Sequence, residues 1–357
     1  MRRALALAAR AEGRTSPNPV VGAVIVHKGK VVGEGWHKRA GGPHAELEAL
    51  RKAGSQARGA DLVLNLEPCC HHGRTPPCTE AVIAAGIRRV YVGMQDPDPR
   101  VQGRGARALR RAGIEVKTGI LRKECERLNE VFIKYIKTGL PFVTLKAAIS
   151  LDGKIATATG ESQWITGAEA RKVVHHIRDR VDAILVGAGT VLKDDPQLTT
   201  RLGKKKSRNP VRVVLDTQGL VPLTARVFHR APGDRVIYVT SDKAAMARLG
   251  RLEKAGVEVW PMPEQGEGAA LEDVLRRLAQ NELIHVLIEG GSRVNAGALK
   301  EGVVDKVIFF LAPILIGGNG AVGVIGGPGV QQLKDAFRIR QPSVTAVGND
   351  WMVEGYL

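Results

Sequence analysis

The sequence predicts an α/β protein of two domains, and three observations predict it. Strand-like and helix-like segments alternate through both halves of the chain. The alternation breaks at Lys137-Thr138-Gly139-Leu140-Pro141, where helical periodicity stops and a new strand begins at Phe142. A length of 357 residues leaves each half enough chain for its own core. The expected domains are residues 1–140 and 141–357.

Residues 1–12 read as an amphipathic helix. Their apolar run is short and is followed at once by Arg10, Glu12 and Arg14, which is unlike a secretory leader; a cytoplasmic location is expected. Asn18-Pro19 leads into a strand ending at Val26, His27 to Lys30 is a hairpin turn, and Val31 to Trp36 is the return strand. Gly41-Gly42-Pro43 opens a helix that runs to Ala53, with the proline in its first turn. Leu62 to Leu66 is a strand, and Glu80 to Ala85 a helix ended by Gly86. Val90–Met94 is a strand, Ala106–Ala112 a helix, Ile114–Val116 a short strand, and Leu121–Tyr135 one longer helix.

In the second half, strands are expected at Phe142–Ala148, Ala183–Val186, Val211–Leu215, Arg235–Val239, Val257–Val259, Ile284–Ile288 and Val307–Leu311. Thr166-Gly167-Ala168-Glu169 fits a capping box for a helix over Ala170–Asp179. Lys204-Lys205-Lys206-Ser207-Arg208 reads as a solvated loop. No apolar run reaches the roughly 18 residues that cross a bilayer.

Net charge is +17 and unevenly placed. Residues 1–142 carry 25 Lys and Arg against 13 Asp and Glu, a net of +12; the remainder carries 28 against 23, a net of +5. A basic first half suits either a nucleic acid or a small phosphorylated substrate. Aromatics make up only 4%, too few for the stacking platforms that single-stranded nucleic acid needs. Four cysteines do not make a disulfide scaffold. Cys125 reads as buried and inert, and Cys70 as a spare thiol or a small packed hydrophobe.

The strongest chemical signal is Pro43-His44-Ala45-Glu46, followed by Glu67-Pro68-Cys69 and Cys78. One imidazole and two thiolates give zinc three protein ligands and leave the fourth position open, the mark of a catalytic site. Zinc lowers the pKa of bound water to about 7. Glu46, two residues after His44, is placed to move protons without ligating. H-x-E followed by P-C-x-x-C is the signature of zinc nucleobase deaminases; here eight residues, not two, separate the cysteines. The helical pattern after Cys78 suggests that the cysteines lie near a helix N-terminus, which favours thiolate. A zinc-stabilised module without catalysis is disfavoured by the retained Glu46 and the open ligand count.

Two glycine-rich turns follow strands in the second half: Gly187-Ala188-Gly189-Thr190 and Glu289-Gly290-Gly291-Ser292. Such turns let phosphate approach backbone N–H groups, though neither is a G-x-G-x-x-G dinucleotide fingerprint. Asp194-Asp195-Pro196 and Arg201 supply polar groups to the same region, with the acids read as loop caps rather than metal ligands.

Taken together, the chain resembles the bifunctional riboflavin-biosynthesis deaminase–reductase family over nearly its full length. The most specific run is Glu67 to Cys78, which carries that family's long insert between the zinc cysteines; Cys70 stands where many members have serine. Pro17-Asn18-Pro19, Ser150-Leu151-Asp152-Gly153, Gly160 to Thr166 and Asp194-Asp195-Pro196 also match family motifs. The resemblance implies a cytidine-deaminase-like three-layer α/β/α domain and a dihydrofolate-reductase-like α/β domain. It implies one zinc per chain, held by His44, Cys69 and Cys78, and NADPH as hydride donor. It implies deamination of a diaminopyrimidinone ribosylamine 5′-phosphate, then reduction of its ribose to a ribityl chain. By the same resemblance Asn18, His37, His71 and Arg74 line the deaminase substrate site, with Arg74 on the phosphate. Ala148, Trp164, Thr190, Asp194 and Thr217 go with the cofactor. So does the run Gly291, Ser292, Arg293, Val294, Asn295, Ala296 and Gly297. Ser162, Arg178, Leu198, Arg201 and Glu289 face the sugar phosphate. The expected partners are that small substrate and further copies of the same chain, as a dimer or tetramer, with neither nucleic acid nor membrane.

Overall fold

The computed structural model describes residues 1–71, 76–203, 207–241, 246–263 and 270–357. The chain forms two compact units, Met1–Leu140 and Pro141–Leu357. Among the described residues no helix is long and apolar enough to cross a membrane.

In the first unit the order is α1 (Arg2–Ala9), β1 (Gly22–His27), β2 (Lys30–Trp36), α2 (Ala45–Ala53), β3 (Asp61–Leu66), α3 (Cys78–Ala84), β4 (Arg89–Met94), α4 (Arg104–Arg111), β5 (Glu115–Thr118), α5 (Arg122–Leu128) and α6 (Glu130–Thr138). The strands form one sheet in the order β2-β1-β3-β4-β5. β1 is antiparallel to β2 and β3, while β3, β4 and β5 run parallel. The hairpin closes through Lys28 and Gly29, both with positive φ, as a tight two-residue turn requires. Strand alternation divides the core. Ala23, Ile25, Leu62 and Leu64 pack under Ala45, Ala49, Val82 and Leu109 of α2, α3 and α4. Val24 and Val63 turn to the other face, against Ala4 and Leu7 of α1. The result is a three-layer α/β/α unit.

One local reading is corrected here. The long helix expected over Leu121–Tyr135 is α5 and α6, parted at Asn129. That side chain is buried: its Oδ1 accepts the Val20 N–H at 2.9 Å and its Nδ2 donates to the Val20 carbonyl at 3.2 Å. This tie to a distant loop sets the bend, and helical periodicity does not register it. Cys125 sits at the same place, fully buried beneath α1, with burial pushing its thiol up to about 11.

The second unit comprises β6 (Phe142–Ser150), β7 (Lys154–Ala156), α7 (Ala168–Arg178), β8 (Ala183–Gly187), α8 (Ala188–Asp194), β9 (Val211–Leu215), β10 (Val236–Ser241), α9 (Met246–Lys254), β11 (Glu258–Met262), α10 (Leu271–Gln280), β12 (His285–Ile288), α11 (Ser292–Lys300), β13 (Lys306–Ala312), β14 (Val322–Gly323), β15 (Arg340–Val347) and β16 (Asp350–Tyr356). The main sheet is ordered β11-β10-β9-β8-β12-β6-β13-β16-β15. It is parallel from β11 to β13 and antiparallel through β16 and β15. One face packs on α10 and α11 and the other on α8 and α9. The parallel strands are continuous apolar runs because both their faces are covered. β15 and β16 escaped the sequence reading for the opposite reason: β15 is exposed along nearly its whole length and has no apolar alternation to announce it. The expected capping box is also corrected. Gly167, not Thr166, is the N-cap of α7, and its N–H donates to Asp350 Oδ2 at 2.7 Å. A carboxylate from β16 does what a local side chain was expected to do.

His285 on β12 packs edge-on against Phe142 and shares a hydrogen bond with Thr144 Oγ1 at 3.2 Å. Burial pushes its pKa down to about 4 from the ordinary 6.5, and the Lys306 and Arg208 cations add to this against an opposing Asp182. Because the folded pKa is depressed for a base, the unfolded chain takes up the proton first as pH falls below 6.5. Stability is therefore complete above that pH and is lost down to about 4. At ~1.4 kcal/mol per unit, and discounting for the ring's partial exposure, the loss is about 2 kcal/mol. Unfolding midpoints of wild type and His285→Gln at pH 7 and 4.5 test this: the variant's acid-induced drop should be smaller, and equal drops would exclude His285 as the cause.

Candidate functional sites

In the first unit three ligand atoms converge. His44, Cys69 and Cys78 place them all within 4.8 Å of one another, the one group of metal-binding character among the described residues. His44 is the N-cap residue of α2, and Cys78 is the first residue of α3. His44 Nδ1 lies 3.1 Å from Cys78 Sγ and 3.6 Å from Cys69 Sγ. Two helix N-termini thus face one point, where their dipoles favour thiolate. The Cys78 backbone N–H donates to Cys69 Sγ at 3.3 Å. The Cys78 thiol is the main cause that brings the Cys69 thiol down to about 4, aided by His44 against the opposing pull of burial. The same hydrogen bond and burial push Cys78 upward, so one of the two sulfurs is ionised before the other. One imidazole and two sulfurs suit zinc.

α2 is brought close to the sheet by glycine in β2. A Cβ on Gly35 would lie 2.3 Å from the Ala45 carbonyl, so only glycine lets the start of this helix settle there. That settling puts Glu46 inside, 3% exposed. Burial raises its carboxyl above the usual range, opposed by its backbone N–H and by His44. A buried carboxyl beside a metal triad, not part of it, is equipped for proton transfer.

His37 is buried beside the triad, its ring edge-on to His44 at 5.5 Å. Its Nδ1 lies 3.1 Å from the Pro43 carbonyl and so carries the proton, leaving Nε2 to accept from Asn18 Nδ2 at 3.1 Å. Burial lowers its pKa and holds it neutral. His71 is half-buried, and its Nδ1 has no hydrogen-bond partner among the described residues. Arg74 lies outside the described residues. Cys70 stays out of the triad, its Sγ 3.9 Å from the Arg100 carbonyl.

In the second unit a cleft of about 2720 Å³ opens at the carboxyl ends of β6, β8, β9 and β12, the expected place for ligands in such a sheet. Single-ligand pockets run roughly 300–1,000 Å³, so this one has room for a dinucleotide and a substrate together. Ala148, Trp164, Thr190, Asp194 and Thr217 line it, as do Gly291 to Val294, Ala296 and Gly297 of α11. Ser162, Arg178, Leu198, Arg201 and Glu289 line it too. Asn295 does not: it is fully buried behind α11, where its Nδ2 donates to the Val324 carbonyl at 2.9 Å. Asp194 Oδ1 accepts the Ser162 hydroxyl at 2.7 Å, and Asp195 Oδ1 accepts the Arg226 N–H at 2.7 Å, the loop-cap role.

The cleft's charged centre is Glu289. Arg178 grips it with both Nε and Nη2, at 2.8 and 3.0 Å, and Lys146 Nζ lies 3.1 Å from its Oε2. Burial alone would raise this carboxyl, but the two cations overcome it and hold it well below the carboxylate range. His175, beside Arg178 and Arg201, is lowered to about 4 chiefly by burial and then by those two cations, so it stays neutral. Lys146 and His175 were missed by the sequence reading. The one lysine inside the apolar strand from Phe142 to Ala148 was the available signal.

Comparison with known proteins agrees with this geometry. Residues 141–353 match the family RibD C-terminal domain, and residues 1–94 match the cytidine and deoxycytidylate deaminase zinc-binding region. The riboflavin biosynthesis protein RibD of Bacillus amyloliquefaciens is 45% identical over 350 residues, covering 98% of this chain and 93% of that one. The solved RibD of Acinetobacter baumannii, form 2, superposes with a TM-score of 0.88 at 38% identity, covering 99% of this chain and 97% of the other. A diaminohydroxyphosphoribosylaminopyrimidine deaminase/5-amino-6-(5-phosphoribosylamino)uracil reductase from Thermotoga maritima gives 0.87 at 40% identity, covering 100% and 97%.

Proposed function

This chain belongs to the RibD family of bifunctional deaminase–reductases, and from that premise we propose how its residues divide the two reactions. It is a riboflavin-biosynthesis enzyme with a deaminase and a reductase activity. The observation that carries the assignment is the convergence of His44, Cys69 and Cys78 beside a buried Glu46 in the first unit.

Residues 1–140 are the deaminase domain and 141–357 the reductase domain. In the first, the substrate is 2,5-diamino-6-(5-phosphoribosylamino)pyrimidin-4(3H)-one. His44, Cys69 and Cys78 would hold one zinc per chain, which when bound would lower the pKa of a water there to about 7. Glu46 accepts the proton of the attacking water and delivers protons to the ring nitrogen and the departing amine. The C–NH2 bond breaks, a carbonyl forms, and ammonia leaves. Asn18 and His37, tied to one another, and His71 orient the pyrimidine ribosylamine, while Arg74 pairs with its phosphate.

In the second domain NADPH, when bound, would supply the hydride that reduces the opened ribosyl to a ribityl chain. Ala148, Trp164, Thr190, Asp194, Thr217 and the start of α11 hold the dinucleotide, whose phosphates suit the helix N-terminus at Gly291 and Ser292. Ser162, Arg178, Leu198, Arg201 and Glu289 hold the sugar phosphate. A proton must accompany the hydride. Lys146 is the group that gives it: a guanidinium does not part with its proton, and His175 has none to spare as a neutral ring. The ligand is a small phosphorylated molecule. Further copies of the chain complete a dimer or tetramer through exposed apolar residues of the antiparallel end of the larger sheet, Val344 on β15 and Trp351 on β16.

The test is metal analysis of the purified chain. Wild type should hold one zinc and Cys78→Ser should lose most of it. Full retention by Cys78→Ser would make Cys70 or another group the third ligand and overturn the assignment.

A further inference from the structure

The side chains that hold the Cys69 ligand in place are not themselves ligands. Glu67 directly follows β3, two residues before Cys69, and is buried, 3% exposed. Its Oε2 accepts the Gly103 N–H at 2.9 Å and the Asp96 N–H at 3.3 Å, and its Oε1 accepts the Ala106 N–H at 2.9 Å. Gly103 is the N-cap of α4, and no local side chain caps that helix. Glu67 therefore caps α4 from the end of a distant strand, just past β3, bonding the N–H groups of Ncap and N3 as a capping box would from within. Backbone packing repeats the tie. A Cβ on Gly105 would lie 2.2 Å from the Pro68 carbonyl and 3.2 Å from Glu67 Cγ.

The same tripeptide is fastened at its other end to α3. Thr79 N–H donates to the Cys69 carbonyl at 3.2 Å and Cys78 N–H to the Cys69 sulfur at 3.3 Å. Glu67-Pro68-Cys69 thus bridges two helix N-termini, and only the α3 side includes a metal ligand. The α4 side has no part in either reaction as derived above, yet it engages a buried carboxylate and a glycine that admits no side chain.

We propose that Glu67 and Gly105 are positioning residues of the metal centre: α4, through them, holds Cys69 in register with His44 and Cys78 before metal arrives. The proposal rests on the zinc reading of that triad. Partners behind metal ligands commonly contribute about 10–100-fold in affinity. Glu67→Ala should weaken zinc binding by that order, and Gly105→Ala should follow because its methyl group displaces the Pro68 carbonyl.

The experiment uses the full chain and measures zinc affinity by chelator competition for wild type, Glu67→Ala, Glu67→Gln, Gly105→Ala and a control, Asp61→Asn. Asp61 lies at the far end of β3, paired with Arg88 and Arg89. Cobalt(II) loaded in place of zinc reports thiolate ligation through its absorption bands. The expected result is weaker zinc binding and altered cobalt bands in the Glu67 and Gly105 variants, with both unchanged in Asp61→Asn. If the Glu67 and Gly105 variants, folded by circular dichroism, bind zinc as wild type does, or no more weakly than Asp61→Asn at equal thermal destabilisation, the proposal is overturned. Should Glu67→Ala fail to fold, Glu67→Gln and Gly105→Ala carry the same comparison. If wild type itself binds no zinc, the zinc reading fails rather than this step.

Discussion

Glu46→Gln is expected to keep its zinc and lose deamination by about 10²–10⁴-fold, the range that a positioned proton carrier contributes. Glutamine keeps the shape of the buried side chain, so the first turn of α2 and the close seating of Ala45 over Gly35 stay intact. It removes only the capacity to take up and release a proton. The three ligand atoms come from His44, Cys69 and Cys78, and none is altered. Zinc content, ammonia release from the diaminopyrimidinone phosphate, and NADPH oxidation with the already deaminated intermediate are measured on the same preparation. Retained zinc, lost ammonia and unchanged NADPH oxidation are expected. Near-normal ammonia release would remove Glu46 from the mechanism.

The metal site was legible because its chemistry is written in residue types at short spacings. His44 and Glu46 lie on one helix turn, and Cys69 and Cys78 are separated by eight residues in the sequence. The parallel strands of the second unit were legible because both faces are covered and the runs are apolar. What sequence could not give were features made by distant pairs. The Asn129 bridge to Val20 splits a helix across more than a hundred residues of chain. Asp350 caps α7 from the last strand. Glu67 caps α4 from a different element, and its partners are backbone N–H groups that carry no sequence signature. Asn295 sits in the run read for the cofactor, but its position on α11 turns it away from the cleft to Val324. A resemblance assigns such a run as a block, whereas helical geometry places alternate faces differently.

Substitution of Glu289 should separate the second reaction from the first. This carboxylate is the anion that Arg178 and Lys146 share, and all three side chains are largely buried. Removing one partner of a buried ionic cluster costs about 3–5 kcal/mol, because the remaining charges lose their compensation in a poorly solvated place. Glu289→Ala would therefore leave two cations facing each other, displacing Lys146 from the position where it can give a proton and loosening Arg178 from the sugar phosphate. Glu289→Gln retains two hydrogen-bonding atoms and much of the packing, so it is the variant to assay. NADPH oxidation with the deaminated intermediate should fall by about 10²-fold or more, as for loss of an electrostatic group aimed at the reacting atoms. Ammonia release should remain, since the zinc ligands and Glu46 belong to the other compact unit. A fall in ammonia release matching the loss of reduction, in protein that is folded and zinc-loaded, would mean that the sites are coupled and that the division of labour proposed above is wrong. Unchanged reduction in Glu289→Gln would instead confine Glu289 to a structural role and leave Lys146 to be oriented by other groups in the cleft.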